Sequence, residues 1–191
     1  YLFVPHPRTP YLAVKKLPPA TVAIYQDGQL QQRRYWHVDY RSGEQDRRSE
    51  QDLVDELDEK LCEAVRLRLE ADVPLGAFLS GGVDSSLIVA MMQKVGTGNV
   101  QTFTVGFGDP SFDEVSQASE FARYLGTQHT DFVSDYGVAD LVPRMVSHFG
   151  EPFADSSAIP TFRVAEMTRQ QVTVALSGDG GDEVFGGYRR Y

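Results

Sequence analysis

A chain of 191 residues with 24% charged side chains and a mean hydropathy of −0.31 can bury one sizeable core and carry a small appendage. It has no apolar run near the roughly 18 residues of a membrane span and no visible signal peptide, so the expectation is a cytoplasmic protein without a membrane partner. With 27 acidic against 18 basic residues, the net charge of −9 argues against nucleic acid as a partner, and any polyphosphate ligand would need a metal ion to bridge the repulsion.

Residues 1–48 differ from the rest. Pro5, Pro7, Pro10, Pro18 and Pro19 punctuate short segments. Thr21–Tyr25 and Gln31–Val38 read as two strands joined by an Asp27-Gly28 turn. A hairpin of that size is marginal in water, so it must lean on the following domain or on a part not present here. A start at Tyr1 is read as an excised fragment, and Arg41–Arg48 as a charged linker. Ser49 can cap a helix running to about Glu70, with Leu53, Val54, Leu57, Leu61, Ala64 and Val65 at helical spacing. The single cysteine, Cys62, falls inside that pattern, and packing is its expected role. His6, His37, His129 and His148 lack metal-ligand spacing and are read as structural or surface residues.

An apolar strand, with Val73, Leu75, Ala77, Phe78 and Leu79, then stops at Ser80-Gly81-Gly82-Val83-Asp84-Ser85-Ser86. A helix follows at once, with Leu87, Ile88, Ala90, Met91 and Val95 as its expected apolar face. Glycines here allow positive φ and close approach of an anion, while the first N–H groups and the dipole of the helix favour negative charge. Ser80, Ser85 and Ser86 add hydroxyl donors. A carboxylate at Asp84, where phosphates would sit, makes sense as a ligand for Mg²⁺. The alternative is a tight Gly-Gly turn in which Asp84 and Ser85 only cap the helix. No G-x-x-x-x-G-K-[ST] pattern occurs, so this is not the loop of the common ATPases.

The remainder alternates. Thr102–Phe107 reads as a strand; a capping box at Ser111 and Glu114 opens a helix with Val115, Ala118, Phe121, Ala122 and Leu125 on one side, and Gly126 ends it. Gln128–Val133 reads as a strand, Val138–His148 and Ala158–Thr168 as helices, and Gln171–Leu176 as a strand. The fold class is therefore α/β: a doubly wound parallel sheet with helices on both faces, preceded by a small β hairpin, with ligands beyond the carboxyl ends of the strands.

The last strand ends in a second unusual loop, Ser177-Gly178-Asp179-Gly180-Gly181-Asp182-Glu183. Three carboxylates gathered at a strand end repel one another unless a cation sits between them, and Mg²⁺ shared by Asp84 and Asp182 is the economical expectation. A calcium loop or a solvated acidic turn is the alternative, although the D-x-D-x-D-G spacing is missing. Asp155, Ser156 and Ser157 either cap the helix at Ala158 or contact substrate.

Ser-Gly-Gly-x-Asp-Ser resembles the motif of the ATP pyrophosphatases, whose fold is adenine nucleotide alpha hydrolase-like. Together with Thr102–Phe107, Phe112-Asp113-Glu114, Glu151–Thr161 and Leu176–Tyr188, it resembles glutamine-hydrolysing asparagine synthetase over nearly all of residues 49–191. Residues 1–48 resemble the tail of that family's glutaminase domain and its linker. The resemblance implies an amide ligase that uses ATP and Mg²⁺ to convert the side-chain carboxylate of aspartate into β-aspartyl-AMP and pyrophosphate. Ammonia from a glutaminase domain missing here then displaces AMP, and the parent enzyme is compatible with a homodimer. It further implies that Ser80, Gly81, Gly82, Asp84 and Ser85 hold pyrophosphate and that Asp84 and Asp182 bind Mg²⁺. Leu79, Val105, Ser177 and Gly178 would contact adenosine, and Asp84, Asp179 and Asp182 would be the catalytic carboxylates. Asp179 stands where some members carry glutamate, one methylene longer. The family's catalytic lysine would lie beyond Tyr191, so the piece alone is expected to be crippled as a synthetase. A β-lactam synthetase-like cyclase and a non-catalytic nucleotide-binding module remain as alternatives.

Overall fold

The computed structural model describes residues 2–38, 47–96, 98–106, 114–134 and 138–188. In chain order the elements are β1 (Thr21–Gln26), β2 (Gln29–Arg34), α1 (Glu50–Leu69), β3 (Leu75–Phe78), α2 (Val83–Val95) and β4 (Gln101–Gly106). They continue with α3 (Val115–Leu125), β5 (Gln128–Val133), α4 (Val138–Phe149), α5 (Ala158–Thr168), β6 (Val174–Leu176) and α6 (Gly181–Phe185). Two compact units result, one made of Tyr1–Arg47 with Val138–Ala158, the other of Arg48–Gly137 with Ile159–Tyr191.

In the first unit, β1 and β2 form an antiparallel hairpin in the register Thr21↔Arg34 to Gln26↔Gln29. Asp27 and Gly28 both take positive φ, 52° and 75°, which gives the turn the twist a two-residue hairpin needs. The second strand stops at Arg34, short of the expected Val38: the Tyr35 N–H still donates to the Ala20 carbonyl (2.9 Å), but Ala20 takes φ 52° and turns its chain out of the ladder. Lys16 Nζ donates to Glu151 Oε1 (2.5 Å) and to the Val4 carbonyl (2.7 Å), and the Ala154 N–H donates to the Leu2 carbonyl (2.7 Å). These bonds tie the segment after α4 to the start of the chain.

The second unit holds a wholly parallel sheet in the order β5-β4-β3-β6. From β3 the chain moves outward through β4 to β5, then crosses back to lay β6 on the other side of β3. Right-handed crossovers in opposite directions place helices on both faces, and the reversal creates a switch point between β3 and β6. Ala77, Leu79, Val89, Met92, Val100, Ala118 and Ala122 form the core with Val65 of α1, and α1 packs along α2. Phe103, fully buried in β4, stacks on Phe132 of β5 with ring centroids 6.0 Å apart.

Ser49 caps α1 in a reciprocal capping box: its hydroxyl accepts from the Asp52 N–H, and the Asp52 carboxylate accepts from the Ser49 N–H. Gly126 closes α3 with φ 71°, while at the other end Ser111 lies outside the described residues, and the helix starts at Val115 with Glu114 at its N-cap. Three expectations shift. The strand before the glycine loop is only Leu75–Phe78, and Val73 is exposed. The last strand is Val174–Leu176 in place of Gln171–Leu176, because Pro74, ahead of β3, has no N–H to extend the ladder and its carbonyl instead accepts from Thr173 and Val174. The deepest stripe of α2 is Ser85, Ser86, Val89 and Met92, leaving Ile88, Met91 and Val95 partly buried. Two small serines let the start of the helix press closer to the sheet than the apolar pattern alone implies. Cys62 packs as expected, its Sγ 3.5 Å from Met91 Sδ. His129 Nδ1 is 2.9 Å from the Thr102 hydroxyl, and its Nε2 lies 2.8 Å from Asp131 Oδ1 without hydrogen-bond geometry.

Gly76 sits where β3 meets β4, and a Cβ there would lie 2.7 Å from Phe103 Cε2 and 2.8 Å from the Gln101 carbonyl oxygen. Gly76→Ala should therefore destabilise the second unit by about 1–3 kcal/mol through overpacking. Urea unfolding followed by circular dichroism checks this.

Candidate nucleotide-binding site

Two loops flank the switch point. The first leaves β3 at Leu79 and turns through Ser80, Gly81 and Gly82 into α2; the second leaves β6 at Ser177 and turns through Gly178–Gly180 into α6. Gly81 takes φ +79°, and a Cβ on it would lie 2.7 Å from Gln117 Cβ and 3.1 Å from the Ala118 nitrogen. Only glycine therefore lets this loop lie against α3. Gly82 is the N-cap of α2 and provides no side-chain cap, so the first N–H groups of a 13-residue helix keep their donors for a ligand.

The two loops are held together by glycine. A Cβ on Gly178 would stand 2.6 Å from the Ser85 nitrogen and 2.8 Å from the Asp84 carbonyl carbon, so the second loop lies with its backbone on the backbone of α2. A Cβ on Gly181 would stand 2.4 Å from Asp84 Cγ, so that glycine makes room for the carboxylate. The structure thus brings the Asp84 side chain beside the loop that carries Asp182, some 100 residues further on. Asp182 Oδ1 is turned toward Gly187, where an added Cβ would lie 2.0 Å away.

The serines are mutually engaged. The Ser80 N–H donates to Ser85 Oγ (3.2 Å), the Ser80 and Ser85 hydroxyls are 2.9 Å apart, the Gly82 N–H donates to Ser80 Oγ (3.3 Å) and the Ser85 hydroxyl donates to the Gly82 carbonyl (3.2 Å). One placement of protons satisfies all four, with the Ser80 hydroxyl donating to Ser85. In the second loop, the Ser177 hydroxyl donates to Asp179 Oδ2 (2.9 Å) and the Tyr188 hydroxyl donates to Glu183 Oε1 (2.5 Å). Asp179 and Glu183 thus each have a hydroxyl partner close in sequence, and among the described residues no group of three or more His, Cys, Asp or Glu is gathered as a metal centre.

Leu79, Val105, Ser177 and Gly178 lie at the same carboxyl end of the sheet, since Ala77 pairs with Leu176 and Phe78 with Phe103. Leu79 is fully buried and serves the core as well; its N–H donates to the Phe103 carbonyl (2.9 Å). A cavity of about 480 Å³ opens beside this site between α1, α2 and β6, walled by Leu61, Ala64, Ile88 and Leu176. It reaches Ser177 and Asp179, but the donors at the start of α2 do not line it. Asp155 belongs to the first unit, where its carboxylate accepts from the Ser157 N–H (2.9 Å) and hydroxyl (2.8 Å) in the turn before α5, the capping role. Phe112 and Asp113 lie outside the described residues. Sequence reading missed α6, a five-residue helix bounded by Gly180 and Gly186, both at positive φ. The glycines on either side of Gly181–Phe185 were its visible signal.

Fold and site together define a parallel α/β unit that presents an uncapped helix N-terminus and a carboxylate at its topological switch point. The asparagine synthase family model matches residues 56–191, and the chain belongs to that family. It is 38% identical over 193 residues to "Asparagine synthetase [glutamine-hydrolyzing] 1" of Bacillus subtilis, covering 100% of this chain and 30% of that protein. It is 37% identical to "Putative asparagine synthetase [glutamine-hydrolyzing] 2" of Methanocaldococcus jannaschii (97% and 36% covered) and 31% identical to "Amidase chyE" of Penicillium rubens (95% and 30%). The chain spans about a third of the length of these relatives. Among solved structures, an NH3-dependent NAD synthetase from Campylobacter jejuni aligns with TM-score 0.48 at 12% identity, covering 70% of this chain and 60% of that one. Among the described residues no helix is long and apolar enough to cross a membrane.

Gly178→Ala should force the two loops apart, lowering stability by about 1–3 kcal/mol and weakening nucleotide binding in the same variant. Thermal unfolding with and without ATP reads both effects.

Proposed function

We propose that residues 49–191 form the ATP-binding, carboxylate-activating part of a glutamine-hydrolysing asparagine synthetase, and that residues 1–48 are the end of a preceding glutaminase domain and its linker. The observation that carries this is the seating of the 177–182 loop on the start of α2, with Gly178 against Ser85 and Gly181 against Asp84. It gives one switch-point crevice the helix N-terminus, the serine hydroxyls and a carboxylate that a magnesium-nucleotide complex needs.

Ser80, Gly81, Gly82 and Ser85 grip the β- and γ-phosphates through N–H and hydroxyl donors, and Leu79, Val105, Ser177 and Gly178 receive the adenosine. A carboxylate oxygen of aspartate attacks the α-phosphorus and the bond to the bridging oxygen breaks. Pyrophosphate leaves with its electron pair into the donors of α2. Ammonia then attacks the acyl carbon of β-aspartyl-AMP, loses a proton and displaces AMP. On this reading the Asp179 carboxylate takes that proton. Two anions must meet in line, so the catalytic contribution of these residues is positional and electrostatic.

The residues present fit Mg²⁺. Asp84 has its space kept by Gly181, Asp182 follows directly, and a pair of carboxylates with phosphate oxygens and water is the set this ion favours. Bound there, it would neutralise phosphate charge during transfer. Aspartate as acceptor, ammonia as nitrogen donor, a homodimeric parent and a cytoplasmic site follow from the same family reading.

Asp84→Asn and Asp182→Asn should each lower affinity for ATP with Mg²⁺ at least tenfold while leaving the fold intact, and AMP should bind weakly whether or not metal is added. Isothermal titration with ATP and AMP, with and without Mg²⁺, decides it; equal affinities in all four arms would reject the site. Gly82→Val is a second probe. A Cβ at position 82 meets only Ser80 Oγ, at 3.3 Å, so the variant should fold normally yet lose ATP binding because the added side chain fills the anion's place.

A further inference from the structure

Ser86, in the first turn of α2 but outside the residues assigned to pyrophosphate, is 8% exposed. Its hydroxyl is buried without a hydrogen-bond partner among the described residues. Leaving a buried hydroxyl unpaired costs stability. The usual remedy for a helical serine is to donate to the carbonyl four residues back, here that of Gly82. That carbonyl is already occupied. It accepts from the Ser86 N–H (3.1 Å) and from the Ser85 hydroxyl (3.2 Å), which together use both of its lone pairs. Ser86 is therefore unpaired because Ser85 holds the acceptor it would otherwise take.

From this arrangement we infer that Ser86 is a positioning residue that exchanges places with Ser85 when an anion enters. The inference rests on reading the loop as a pyrophosphate site. In the empty loop, the Ser85 hydroxyl closes on Gly82. To donate to a phosphate oxygen it must leave that carbonyl, which then keeps only its bond from the Ser86 N–H and has a lone pair open. The Ser86 hydroxyl, four residues after that carbonyl and so within rotamer reach of it, then rotates onto it. The number of satisfied groups rises on binding, so the strain of the unpaired hydroxyl in the empty state is released when the ligand arrives. Only hydrogen bonds exchange, and no proton is lost or gained by the protein.

The test is isothermal titration of the full chain with inorganic pyrophosphate and Mg²⁺, together with thermal unfolding of the ligand-free protein, for wild type, Ser86→Ala, Ser85→Ala and the double variant. Ser86→Ala should raise the unfolding midpoint of the empty protein by about 2–4 °C, because it removes the unpaired hydroxyl, and should weaken pyrophosphate binding about 5- to 10-fold. A purely structural serine would not move the two readouts in opposite directions. In the Ser85→Ala background the Gly82 carbonyl has a lone pair open to the Ser86 hydroxyl in both states, beside its bond from the Ser86 N–H, so the added Ser86→Ala change should leave the remaining affinity unchanged. An equal penalty in both backgrounds, or unchanged affinity in Ser86→Ala while wild type binds, would overturn the exchange alone. No binding of pyrophosphate by wild type would overturn the site itself and the exchange with it.

Discussion

An alanine methyl has no room at position 178. The second loop lies with its main chain 2.6 Å, measured from where that methyl would be, from the nitrogen of Ser85, and no side-chain rotation can relieve a backbone contact. Everything proposed for the site depends on that approach. It turns two motifs separated by nearly a hundred residues into one crevice, and it does so at the one place in the sheet where strand order reverses.

What suits the crevice to the anion proposed for it is what it omits. The N-terminus of α2 has no side-chain cap, whereas α1 has a reciprocal capping box. The contrast is informative because capping residues are available: Ser80, Ser85 and Asp84 are all within reach, yet the hydroxyls bind one another and the carboxylate is directed into the space Gly181 leaves. A helix end left open in this way costs stability in the empty protein, and on the proposed reading that stability returns when phosphate oxygens take the donors.

The acidic loop after β6 solves a related problem. Asp179 and Glu183 are each tethered by a hydroxyl, from Ser177 and Tyr188, so carboxylates that would repel one another are held apart. On the proposed reading, Asp84 and Asp182 are the pair for a divalent ion, with phosphate and water completing its shell. A preformed cage of three or more ligands would suit a structural metal; two carboxylates suit an ion that arrives with its nucleotide.

The amino-acid sequence by itself determined the parallel α/β class, both loop motifs, the capped start of α1 at Ser49, the left-handed end of α3 at Gly126 and the two elements Gln128–Val133 and Ala158–Thr168. These are legible because period, glycine and capping chemistry act over a few residues. Tertiary structure alone decided where β6 begins, since the amides of Gln171 and Val172 turn back onto Thr168 at the end of α5 and Pro74, just ahead of β3, has no N–H to pair with them. It also decided which face of α2 is buried, since the small side chains of Ser85 and Ser86 admit the sheet. The grouping of residues 138–158 with residues 1–47, and the seating of Gly178 on Ser85, likewise depend on residues far apart in the chain. A local pattern can show that glycine is needed at a position, but what the glycine makes room for is set by the partner that folding brings to it.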